Sequence, residues 1–278
     1  MFAPPTGYVW ALSDCPAGGV SAMTSPWKPD QYNRFRAERM QPLLDLVALV
    51  RPRPGMRVVD LGCGTGETTR LVHERLAAGD TLGLDSSETM LAASAAHAMP
   101  GLRFARGDIA DFDADGAYDL VFSNAALHWL PDHPALFTRL ARALAPDGQL
   151  AVQMPYNFEH PSHTVAAAIA REAPFATALG GFAVEHPVAT PEAYAVLLHR
   201  LGFREQHVRL QVYGHILPAR DDVIEWVKGT LLTAYERRLS AERFAEFMER
   251  YRERLLPALD PARPYFYPFK RLLLWAAR

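Results

Sequence analysis

Cysteine is scarce, with 2 in 278 residues. Cys15 and Cys63 are far apart and in unlike surroundings. No disulfide framework is expected, and a reducing cytoplasm is the default compartment. No apolar run reaches the roughly 18 residues that a membrane span needs, so no membrane partner is expected. Neither sign of charge dominates: 29 Lys and Arg stand against 31 Asp and Glu, a formal net charge of −2. That balance argues against nucleic acid as a partner. There is no H-E-x-x-H pattern. His160 and His163 are three apart beside Pro161 and read as a loop, so no metal is expected. Repeats and low-complexity stretches are missing as well. What remains is a chain of 49% hydrophobic and 22% charged residues, the balance of a folded domain.

The first 22 residues are rich in Pro and Gly and lack the positive start of a secretory signal. They are expected to form a loose extension, with the folded domain running over 23–278. A helix is expected over 31–50, where Phe35, Met40, Leu43, Val47 and Val50 recur at helical spacing. Short apolar runs then alternate with helical patterns. Strands are expected at 57–62, 81–85, 102–108, 118–124 and 149–155, with a turn at Pro146-Asp147-Gly148. Such alternation implies parallel βαβ units with helices on both faces. Two more strands are expected at 203–217 and 267–278. The predicted fold is therefore α/β: a doubly wound, mostly parallel seven-stranded sheet, Rossmann-like. Helical cap insertions are expected around 156–200 and 220–256.

Residues 58–66, VVDLGCGTG, carry the strongest chemical signal. Gly62, Gly64 and Gly66 follow a strand and precede a helix. Glycine permits the sharp turn and lets a ligand touch backbone. The helix start behind it offers unpaired N–H groups. Asp85 ends the second strand, where a carboxylate can accept both hydroxyls of a ribose. Ser86 follows it and is assigned to the same group. Asp108 and Ile109, after the third strand, can receive an exocyclic amine and flank an adenine ring. Asn124, ending the fourth strand, faces the same crevice. A dinucleotide is the competing ligand. The G-x-G-x-G spacing, Asp60 inside the strand and the position of Asp108 favour S-adenosylmethionine (SAM). Cys63 reads as a small packing residue.

The segments VVDLGCGTG, TLGLDSSETML, SNAALHWLPDH, LAPDGQLAVQMP and SPWKPDQYNRFRAER together resemble the trans-aconitate 2-methyltransferase family over residues 24–278. The resemblance implies a cytoplasmic SAM-dependent methyltransferase that esterifies one carboxylate of a small tricarboxylic acid. Thr65, His128 and Tyr156 depart from that family's pattern.

A carboxylate is already ionised at neutral pH, so its methylation requires alignment and no base. A phenol or carbon acid would need one, and His128 is the catalytic candidate for that alternative. A SAM-binding module without turnover is a further alternative. Cationic groups for an anionic acceptor are Arg34, Arg36 and Arg39 on the first helix and Lys270 and Arg271 on the last strand. Arg39 is assigned to the cofactor or to an anion. Tyr32 can support either role, and Trp27 can act as a lid beside the sulfonium. Trp129, Tyr156 and Asn157, on loops after strands four and five, complete the substrate-binding candidates. The partner is expected to be a small acid, and the chain a monomer or weak dimer.

Overall fold

The computed structural model describes residues 36–278, with side chains from residue 40 onward. The expected loose extension (1–22) and the candidates Trp27, Tyr32 and Arg34 lie outside the described residues, as do the side chains of Arg36 and Arg39. Helix α1 spans Arg36–Val47. The alternating core follows as β1 (Arg57–Leu61), α2 (Glu67–Leu76), β2 (Asp80–Asp85), α3 (Glu88–Ser94), β3 (Leu102–Arg106), β4 (Tyr118–Asn124), α4 (His133–Arg142) and β5 (Leu144–Pro155). The remainder is α5 (Pro161–Ala170), α6 (Phe175–Ala178), α7 (Pro191–Arg200), β6 (Glu205–Leu217), α8 (Asp222–Lys228), α9 (Thr233–Glu236), α10 (Ala241–Leu255) and β7 (Tyr265–Ala277).

The strands form one seven-stranded sheet in the order β3-β2-β1-β4-β5-β7-β6. Pairs from β3 through β5 are parallel. Strand β7 is antiparallel to both β5 and β6. Near-continuous apolar runs suit these central strands because helices cover both faces. One face packs Val59, Leu61, Val121, Val152, Met154 and Leu274 against Leu136, Phe137 and Leu140 of α4 and Tyr194 and Leu198 of α7. The other packs Val58, Phe122, Ala151, Leu273 and Trp275 against Leu43, Leu46 and Val47 of α1 and Val72 of α2.

Several expected boundaries move. Pro146-Asp147-Gly148 is not a turn between elements but lies inside β5. A register shift between Tyr118 and Leu120 takes up the extra residues, since Tyr118 faces Leu144 while Leu120 faces Gln149. His160 and His163 do not form a loop. His160 caps α5, Pro161 sits in its first turn, and His163 is inside it, a position where proline loses no helical hydrogen bond. The helical insertion expected around 220–256 is divided into α8, α9 and α10, with the first break around Gly229.

The helices within 156–200 divide. Helices α5 and α6 join α8, α9 and α10 in a separate apolar cluster that includes Phe175, Trp226, Tyr235, Phe247, Tyr251, Tyr267 and Phe269. Helix α7 instead packs on the sheet through Tyr194 and Leu198. Among the described residues no helix is long and apolar enough to cross a membrane.

Candidate active site

The carboxyl ends of β1 and β4 adjoin at the centre of the sheet, where the chain reverses its direction of winding. That is the crevice where open α/β sheets bind ligands. The glycine loop fills one side of it. Gly62, Gly64 and Gly66 all have positive φ, at 81°, 56° and 79°. Their reasons for being glycine differ. A Cβ on Gly62 would run into Ala126 Cβ. One on Gly66 would come within 2.7 Å of the Phe104 ring and 2.8 Å of Ser94. A Cβ on Gly64 would meet nothing within 4 Å. Gly62 and Gly66 therefore serve packing, whereas Gly64 presents bare backbone to open space.

Asp85 braces the loop from β2. One carboxylate oxygen accepts from Gly64 N at 2.9 Å, and the other accepts from Ser87 N at 2.9 Å. Ser86 is exposed beside it, and Ser87 caps α3. Asp60 lies below the loop with 2% of its surface exposed. Its Oδ2 accepts from Thr69 Oγ1 at 2.6 Å, while Oδ1 has no partner. Burial pushes its carboxyl up to about 7, opposed by the Thr69 bond and reinforced by the charge of Asp85. Burial also raises the Cys63 thiol, which suits a packing role and not a nucleophile.

Asp108 lies two residues past β3 and caps a 3₁₀ turn, accepting from Ala110 N at 2.8 Å. Ile109 Cδ1 lies 3.5 Å from where a Gly62 side chain would start, so it borders the glycine loop. Asn124 ends β4 with a buried Oδ1 that has no partner. The structure thus gathers Asp60, Gly62, Gly64, Gly66, Asp85, Ile109 and Asn124 around one crevice.

A 3₁₀ turn, Leu127–Trp129, follows β4. His133 holds it in place. Its Nε2–H donates to Leu127 O at 3.1 Å, and its Nδ1 accepts from the Tyr194 hydroxyl. Burial, with the nearby Arg271 charge second, depresses the His128 imidazole to about 3. A group so weakly basic takes up a proton poorly at neutral pH, which argues against His128 as a base. It is a neutral ring whose buried Nδ1 has no partner. Trp129 is 50% exposed and lies against His128, ring centres 4.5 Å apart. Tyr156 is half-buried at the end of β5, its N–H bonded to Lys270 O. Asn157 is engaged structurally: Nδ2 donates to the Tyr267 hydroxyl at 3.3 Å and Oδ1 accepts from Lys270 N at 3.2 Å. Its side chain ties β5 to β7.

Sequence reading missed Gln153, His215 and Thr69. Gln153 reads as one residue of a buried strand, and only its pairing with neighbouring strands reveals an unpartnered amide.

The residues present fit SAM on two observations. Gly64 offers open backbone, and Asp60 Oδ1 is a buried acceptor in want of a donor. Fold and site define a class I SAM-dependent methyltransferase. A methyltransferase-domain model matches residues 58–148. A Deinococcus radiodurans protein named trans-aconitate 2-methyltransferase is 46% identical over 91% of this chain and 98% of its own. Proteins of the same name from Methylobacterium nodulans and Mycobacterium tuberculosis are 42% and 38% identical, covering 91% and 90% of this chain and 98% and 96% of theirs. The chain belongs to the trans-aconitate 2-methyltransferase family. Among solved structures, YcgJ of Bacillus subtilis shares the fold, with a TM-score of 0.59 at 16% identity, covering 86% of this chain and 98% of that one.

Proposed function

We propose that the chain transfers the methyl group of SAM to one carboxylate of a small polycarboxylic acid, with trans-aconitate as the acceptor. The carrying observation is the 46% identity, over nearly the whole length, to a protein of that name. The depressed His128 imidazole favours the carboxylate reading over the phenol, which would need a base.

SAM supplies a methyl group already activated on a sulfonium centre. The roles of the chain's residues follow from their chemistry. The backbone of Gly62, Gly64 and Gly66 and the Asp60 carboxylate would hold the methionyl part. Asp85 would accept from the ribose hydroxyls, and Asp108 and Ile109 would receive the adenine. Asn124 and the neutral His128 would border the acceptor, with Trp129 and Tyr156 at its rim. Trp27, Tyr32 and Arg39 remain candidates for lid, support and anion clamp. Helices α5, α6 and α8–α10 would cap the crevice and exclude water from the methyl group. We infer a cytoplasmic monomer or weak dimer, in keeping with the buried, free Cys63.

The test is transfer from labelled SAM to trans-aconitate, cis-aconitate, isocitrate and several phenols. Turnover on trans-aconitate, yielding an alkali-labile ester, is expected. At saturating SAM its rate should stay flat from pH 6 to 8. Methylation of phenols alone would overturn the assignment.

A further inference from the structure

Lys270 and Arg271 are adjacent on β7, so the pleat sends them to opposite faces. Lys270 reaches the surface and pairs with Glu159 at 3.0 Å. Arg271 points inward and is only 5% exposed, its guanidinium 4.9 Å from the centre of the Phe269 ring. It stands opposite Pro155 on β5 and Gln211 on β6. Gln153 is one diagonal step along β5 on the same face, a spacing that long side chains can bridge. Asn124, opposite Gln153 on β4, carries that face on to the end of the strand beside the glycine loop. His215 sits four pairs further along β6, opposite Tyr267 and on the same face.

These neighbours are polar, buried and unsatisfied. Gln153 is 1% exposed, and neither its Oε1 nor its Nε2 has a partner. His215 is 5% exposed, stacked at 4.7 Å on Trp226, with Nε2 unpartnered. A buried side-chain amide without a partner costs about 1–3 kcal/mol, so native structures rarely keep one without a use. Burial and then the Arg271 charge hold His128 near 3 and His215 near 4, so both rings are neutral. Unsatisfied groups of Gln153 and His215 thus share the Arg271 face, where Tyr213 donates to the Asp45 carboxylate at 2.7 Å. A guanidinium with neutral donors on one buried face suits a carboxylate.

We propose that Arg271, with the Gln153 amide and His215, binds the carboxylates of the acceptor that do not react. A planar guanidinium matches a carboxylate with two parallel hydrogen bonds. Gln153 Nε2 and the His215 ring supply further donors. Such a subsite selects acids with two or three carboxylates over monocarboxylates. It rests on the reading of an acidic acceptor given above.

The test is calorimetric titration of tricarballylate, an unreactive tricarboxylate, into the full chain saturated with S-adenosylhomocysteine. The wild-type protein should bind it. Arg271→Met should weaken binding by about 100-fold, Gln153→Leu by about 10-fold, and Arg271→Lys less than Arg271→Met. Affinity for S-adenosylhomocysteine should stay within about twofold, since these residues lie off the glycine loop. Should Arg271→Met fail to fold, Gln153→Glu keeps the volume and adds a negative charge, and it should abolish tricarballylate binding alone. Unchanged tricarballylate binding in a folded variant, or equal loss of both ligands, would overturn the subsite. So would absence of binding to the wild type. Arg271-dependent binding without any methylation of trans-aconitate would sink the proposed reaction and keep the subsite. Methylation of trans-aconitate undiminished in Arg271→Met would do the reverse.

Discussion

Asp85 and Gly64 are joined across two strand ends, the carboxylate accepting from the glycine N–H at 2.9 Å. One acidic side chain thus shapes the glycine loop and stands where a ribose would bind. Replacement by alanine removes both roles. Asp85→Ala should weaken SAM binding by about 10- to 100-fold, the range expected for losing charge-assisted hydrogen bonds. Asp85→Asn, which keeps one acceptor, should lose less. Calorimetry with SAM measures both, and wild-type affinity in Asp85→Ala would remove Asp85 from the site.

The glycines should separate by experiment. Gly62→Ala places a methyl on Ala126 Cβ, so backbone must move, and thermal stability should fall by about 2 kcal/mol or more. Gly64→Ala meets no neighbour. Its φ of 56° costs only about 1–2 kcal/mol. Its larger effect should fall on SAM affinity, because the new methyl intrudes where ligand meets backbone. Equal effects of the two variants on stability and on binding would refute this division.

Asp60 makes stability depend on pH. Its folded value is about 7, against roughly 3.9 in an unfolded chain. Between those values the folded state holds a proton that the unfolded state releases. Stability therefore falls as pH rises from about 4 to 7, at up to about 1.4 kcal/mol per pH unit, and levels off above. Buried histidines slope the other way, so the quantity to measure is the difference between wild type and Asp60→Asn. Urea titrations of the ligand-free protein at several pH values would provide it. A constant difference across pH 4.5–7 would contradict the buried, proton-holding carboxyl.

Tyr194 supports the loop after β4 through His133. Its hydroxyl bonds His133 Nδ1 and accepts from Ala189 N at 3.3 Å. Tyr194→Phe leaves that nitrogen buried and unpaired and should destabilise the fold by about 1–3 kcal/mol in urea unfolding. Affinity for S-adenosylhomocysteine should change little. An unaltered midpoint would mean that the pair carries no weight.

The amino-acid sequence alone determined the winding of the core. β-branched runs closed by Gly or Asp, alternating with helical spacing, admit few arrangements other than a parallel sheet with helices on both faces. It also determined the loop chemistry, because G-x-G-x-G after a strand, with Asp85 ending the next, is a local signal. Tertiary structure alone decided how residues distant in the chain meet. Pairing register brings Asn124, Gln153, Arg271 and His215 onto one face, and a one-residue slip would reverse every side chain. Burial set the protonation of His128 and Asp60, since the cost of a buried charge depends on surroundings built from other strands. It also turned Asn157 into a tie between strands and left Trp129 half in solvent, outcomes that no local pattern encodes.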